Sequence, residues 1–172
     1  MKSFLLIFTL FFFLLVPASS EQKIVFVDMD KVISKSNAGS SIYKQLKNIN
    51  SENLSSLKKE EEKFKKKEAK LISQKNIISE TDFESKVDKL KIEINSYNKN
   101  RKKMNKDFNN LKIDSTNKLL ALINPILTKF SIDNEISIIL QKKDLIIGKT
   151  ELDISDKIIK IVNDQIKQFK IK

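Results

Sequence analysis

Between Phe83 and Leu111 a strict alternation of four- and three-residue steps picks out Phe83, Val87, Leu90, Ile94, Tyr97, Arg101, Met104, Phe108 and Leu111, and eight of these nine positions are apolar. Almost everything between them is Lys, Asp, Glu, Asn or Ser, so a helix here can bury one narrow stripe and no more. A 3.5-residue repeat held over four heptads marks a coiled-coil seam. Such a helix needs a partner, and the segment before it, Ile42 to Ile78, carries a sparser apolar column at Leu57, Phe64, Leu71 and Ile78. The pattern predicts a long antiparallel helical hairpin.

The chain opens with Lys2, an apolar run from Phe4 to Val16, Pro17 and the small residues Ala18, Ser19 and Ser20. That is the layout of a secretory signal peptide, expected over residues 1–20 with cleavage near Ser20. The run is 13 residues long, short of the roughly 20 a helix needs to cross a bilayer. Without Lys2, the one charged residue of this segment, the formal net charge falls from +11 to +10. A strongly basic chain seeks anionic partners. Export directs that preference away from nucleic acid and towards anionic lipid, lipopolysaccharide or acidic proteins. Arg occurs once, at Arg101, and the other basic residues are all Lys, so compositional drift is a competing source of the charge.

There is no Cys and no His. Their absence removes a disulfide framework, thiolate and imidazole metal sites, and the usual nucleophile and base pairs. Gly occurs at Gly39 and Gly148 alone, leaving no glycine-rich phosphate loop. The expectation is a protein that is not an enzyme and calls for no cofactor or metal. The stretch Ile24-Val25-Phe26-Val27-Asp28-Met29-Asp30-Lys31-Val32 looks like the first motif of haloacid dehalogenase-like phosphatases, but nothing after Val32 alternates strand and helix as that fold requires.

Lys23 to Val27 reads as a buried strand feeding a helix through an Asp28 N-cap. From Ser40 to Ser73 no Gly or Pro intervenes, and Lys58 to Lys70 holds seven Lys and four Glu, a solvated helix face. Ser79-Glu80-Thr81-Asp82 offers a Ser N-cap with an acidic residue three positions on, placing the turn near residues 76–79 and Ile77, Ile78 and Phe83 at the tip. That turn sets Leu71 near Val87, Phe64 near Ile94 and Leu57 near Arg101, with Glu61 and Glu68 standing where further seam residues are missing. Asn124-Pro125 predicts a kink or a restart with Pro125 at the first helical position. Ile136 to Leu140 and Leu145 to Ile147 read as the two strands of a hairpin. Asp153-Ile154-Ser155-Asp156 caps a last helix whose inner side carries Ile158, Ile159, Val162, Ile166 and Phe169.

The opening strand ending in Val27-Asp28, the short helix around Val32, the Ser36-x-Ala38-Gly39 step and the long charged helix resemble the start of the Skp/OmpH family of periplasmic chaperones. The ending is similar as well: an apolar strand, a turn, a second strand and an Asp-Ile-Thr-type cap, with Ser155 in place of the Thr. The fold class expected is α+β, mostly α: a helical hairpin arm over residues 37–119 with its tip near 76–82, on a small β-containing oligomerisation body formed by 21–36 and 120–172. Three short strands leave two open edges and too small a core. The resemblance implies that they close into a barrel in a homotrimer. It further implies a periplasmic, ATP-independent holdase for unfolded outer-membrane proteins. Client-contact candidates are Ile77, Ile78 and Phe83 at the tip and the seam residues Phe64, Tyr97 and Met104. Lys99, Arg101, Lys102, Lys103 and Lys106 are candidates for lipopolysaccharide or an anionic lipid surface. The alternative is an envelope coiled coil that tethers other components without holding clients.

Overall fold

The computed structural model describes residues 22–167 and 169–171; the signal peptide expected over 1–20 lies outside the described residues. Strand β1 (Lys23–Val27) buries Val25, Phe26 and Val27. Asp28 follows in an extended conformation, and its carboxylate accepts the Lys31 N–H at 2.9 Å, starting helix α1 (Met29–Lys35) as an N-cap should. The helix stops at Ser36, whose hydroxyl accepts the Gly39 N–H at 3.2 Å and so begins helix α2 (Asn37–Gln74). A Cβ on Gly39 would stand 1.5 Å from the Ile33 carbonyl oxygen. The sharp step between α1 and α2 therefore requires glycine.

Helix α2 runs 38 residues, about 57 Å at 1.5 Å per residue. Helix α3 (Glu80–Asp133) returns alongside it for 54 residues. The turn between them is closed by the Ile77 and Ile78 N–H groups donating to the Gln74 carbonyl. Ser79 caps α3, its hydroxyl accepting the Asp82 N–H at 3.2 Å and donating to the Asp82 carboxylate at 2.7 Å.

The register across the arm differs from the sequence expectation by two or three residues. Phe64 meets Tyr97 rather than Ile94, with ring centroids 5.4 Å apart and planes at 68°. Lys67 pairs with Glu93 and Lys86 reaches Gln74. Side chains on a helix lean towards its own N-terminus. In an antiparallel pair the leans oppose one another, so touching residues lie further along the return helix than a Cα register suggests. Ile94 is left 37% exposed.

Pro125 does not start a new helix. It sits inside α3 with Ile123 and Ile126 buried beside it. Packing on both neighbours holds the helix across a residue that lacks the donor for one backbone bond.

Helix α3 leaves through Asn134 and Glu135, whose φ of 54° is the one positive value for a non-glycine among the described residues. The chain then enters strand β2 (Ile136–Gln141), which pairs with β1 in parallel, Val25 opposite Ile139 and Val27 opposite Gln141. The hairpin expected over 136–147 does not form. After β2 the chain makes a 3-10 turn at Lys142–Asp144, and Leu145 to Ile147 pairs with no strand among the described residues. This segment crosses back instead, bringing Gly148 so close to the Phe26 ring that a Cβ there would lie 2.8 Å from it. A second 3-10 turn, Thr150–Leu152, leads to Asp153, which bridges to Phe26; the Ile154 N–H donates to the Phe26 carbonyl at 2.9 Å.

Helix α4 (Ser155–Gln165) then packs Ile158 and Val162 fully into the core. Asp153 caps its first turn by accepting the Ser155 N–H at 2.9 Å. Leu119 and Ile123 of α3, Val32 of α1, and Ile42 and Leu46 of α2 complete the same cluster. Phe169 lies beyond the helix yet is buried, its carbonyl accepting from Gln45 at 2.8 Å and from Ser41 at 3.2 Å. The core thus sits where the base of the arm meets the sheet.

Candidate functional site

From Lys47 to Asp114 the arm contains a single buried residue, Tyr97. Its ring packs edge-on against Phe64, and its hydroxyl donates to the Glu61 carboxylate at 2.6 Å. Desolvation, then the Glu61 carboxylate, pushes the phenol above its usual 10.0, with Arg101 opposing. Glu61 also lies 4.0 Å from the Arg101 guanidinium, so the charged seam position of α3 is answered across the arm. Phe64 and Tyr97 form one packed pair; Met104, two turns further on, is half-buried.

At the tip the expected trio separates. Ile78 and Phe83 are half-buried and share a shallow recess with Lys75, Asn76, Glu80 and Glu84. Ile77 stands apart, 78% exposed.

The basic candidates divide in a similar way. Lys99, Lys102, Lys103 and Lys106, spaced at i, i+3, i+4 and i+7, share one exposed face of α3. Lys103 is engaged by Asp107 at 2.6 Å. Arg101 borders a depression with Lys99 and Lys102 but faces Glu61 at the seam. No group of three or more acidic side chains that could hold a metal occurs among the described residues.

Sequence reasoning missed a groove between the two helices just below the tip. Lys67, Lys70, Leu71 and Gln74 of α2 line it together with Lys86, Lys89, Leu90 and Glu93 of α3. Leu71 and Leu90 had both been visible as seam residues. Only the lean of side chains, which sets Leu71 against Leu90 rather than Val87, would have brought these lysines together.

The body exposes apolar groups of its own. Ile24, Ile138 and Leu140 on the strands are 38–44% exposed, and Ile146 and Ile147 on the crossing segment over 90%. The outer edge of β2 has no partner strand among the described residues.

A small mixed body carrying a long two-helix arm defines a class of helical-hairpin proteins. A family model described as outer membrane protein (OmpH-like) matches residues 23–162, and the chain belongs to that family. The fold is similar to the crystal structure of an OmpH-like protein from Caulobacter crescentus CB15, with a TM-score of 0.83 at 14% identity, over 89% of this chain and 90% of that one. No curated protein matches the chain.

Proposed function

We propose that this protein is an ATP-independent holdase of the periplasm that binds unfolded outer-membrane proteins and prevents their aggregation before insertion. Membership of the OmpH-like family supports a chaperone role, the role ascribed to the Caulobacter neighbour. The observation that carries the reading is the arm itself: about 40 Å of paired helix beyond Leu46, where from Lys47 to Asp114 Tyr97 alone is buried, with Ile72, Ile77 and Ile92 each at least 65% exposed. Scattered apolar side chains among many lysines suit fast, weak, multi-point capture of chains that expose both apolar and acidic groups. Each contact is weak, so release needs no hydrolysis.

In this reading the body, residues 21–36 and 120–172, joins three protomers through the open edge of β2 and the apolar residues it leaves exposed. The arm, 37–119, supplies the client surface through Ile77, Ile78 and Phe83, with Phe64, Tyr97 and Met104 available when the seam opens. The lysine face at Lys99, Lys102, Lys103 and Lys106 is the place for lipopolysaccharide or another anionic lipid, with Arg101 at its edge. Light scattering of an outer-membrane barrel protein diluted out of urea tests the function. Near-stoichiometric protein should suppress the aggregation, and no suppression would leave the tether reading in its place.

A further inference from the structure

The groove below the tip combines a basic rim with an apolar floor, which the depression at Lys99, Arg101 and Lys102 lacks. Its floor is apolar, from Leu71 and Leu90, and its rim carries four lysines against one carboxylate. That carboxylate, Glu93, is occupied by Lys67, and Lys86 is held by Gln74 at 3.3 Å. Lys70 and Lys89 have no carboxylate within ion-pair distance among the described residues. The groove holds about 330 Å³ and is open along its length, so it fits side chains of a passing segment rather than an enclosed small ligand. Gln74, at an alternate seam position of α2, contributes a half-buried polar side chain to it. By helical phase Glu61, the acidic contact of Tyr97 and Arg101, lies on the opposite flank of the arm.

We infer that this groove is a docking site for an acidic peptide segment, which lays one apolar side chain between Leu71 and Leu90 and places flanking carboxylates on Lys70 and Lys89. The inference rests on the holdase reading and names where on the arm a client segment binds. Charge complementarity selects the occupant: a basic or neutral segment would leave two lysines unanswered beside a desolvated floor, while carboxylates reach ammonium groups whose attraction is only partly screened at physiological ionic strength. Two cross-arm contacts, Lys67 with Glu93 and Lys86 with Gln74, span the groove in the closed arm.

Fluorescence anisotropy of a labelled peptide of alternating Asp and Leu tests it on the full protein, with a Lys and Leu peptide as the charge control. Lys70→Glu with Lys89→Glu should weaken the acidic peptide about tenfold, from two exposed ion pairs turned repulsive. Lys44→Glu with Lys47→Glu, the same change in net charge on exposed residues near the base of the arm, should weaken it less than twofold. Equal losses in both variants would reduce the effect to overall charge and overturn the site. So would an unchanged affinity in the Lys70 and Lys89 variant, or a loss confined to anionic phospholipid vesicles with peptide binding intact. Aggregation suppression by the unaltered protein is measured in parallel. Its absence defeats the holdase reading, whereas its presence alongside an unaffected peptide defeats the groove alone.

Discussion

The body and the arm are built from the same helix-forming residues but are stabilised in different ways. In the body, Val32, Leu119, Ile123, Ile158 and Val162 are fully buried and come from three helices far apart in sequence. In the arm, α2 and α3 touch along a seam whose α2 side has large gaps: Leu57, Phe64, Leu71 and Ile78 are half-buried, and the alternate positions are Asn53, Glu60, Lys67 and Gln74. Helical stability in proteins comes mostly from packing rather than propensity. The comparison teaches that a continuous helix is no measure of local stability: α2 and α3 pass from a dense core into a thin seam without the helix ending.

Hydrogen exchange should show the difference at its largest. Amides of Lys58 to Lys70 are expected to open at a small fraction of the global unfolding free energy, itself about 5–15 kcal/mol for a domain, whereas those of Ile136 to Leu140 should approach the global value. Equal protection of the two segments would end the comparison. Mutation should follow the same line. Leu119→Ala, at 0% exposure, is expected to cost about 2–5 kcal/mol, and Leu57→Ala on the half-buried seam less than about 1 kcal/mol, both read by urea denaturation.

Local features were legible in the sequence: the seam from Phe83 to Leu111, the Ser79 cap, the Asp28 cap and the Leu119 to Ile123 entry into the core all depend on residues within a few turns. What failed depended on distant partners. Leu145 to Ile147 has strand-forming residues, but β1 takes β2 as its parallel neighbour and the Phe26 ring draws Gly148 across the sheet. Pro125 reads as a break until Ile123 and Ile126 are seen locked in the core. Arg101 was legible as a seam position, and its neighbour across the arm, Glu61, was not; the groove at Lys70 and Lys89 was hidden by the opposed lean of side chains on antiparallel helices.

Acid and alkali should separate the two regions. Burial tends to raise the Asp153 carboxyl, but the Ser155 hydroxyl and N–H, followed by Lys142, outweigh it and hold it below 3.8. Its contribution to the body is present above that value and lost as pH falls through the lowered one. Tyr97 has the opposite sign. With its folded value above 10.0, the unfolded chain loses its phenolic proton first, so the contribution to the arm is complete below pH 10.0 and declines as pH rises towards the folded value. Asp153→Asn should flatten the acid limb of a stability profile and Tyr97→Phe the alkaline limb. Each variant should leave the other limb in place; a variant that moved both would mean that its effect does not come from titration of the group removed.

The smallest effect expected, and the sharpest test of why the arm is soft, is to fill its seam. The heptad pattern places the missing residues at Glu61 and Glu68, but both are exposed, and Glu61 accepts the Tyr97 hydroxyl. The half-buried alternate position is one residue earlier, at Glu60, between Leu57 and Phe64 on the face turned to α3. Its contact with Lys63 is an exposed i, i+3 pair at 2.9 Å, worth at most a few tenths of a kcal/mol. Glu60→Leu should therefore stabilise the arm by about 0.5–1.5 kcal/mol from added apolar burial and slow exchange from Lys58 to Lys70 by roughly two- to tenfold. Glu61→Leu, which sacrifices the Tyr97 bond, should do no better than break even. If Glu60→Leu left exchange unchanged, the softness of the arm would have to come from charge repulsion along the lysine-rich stretch, and added salt rather than added apolar surface would be what stiffens it.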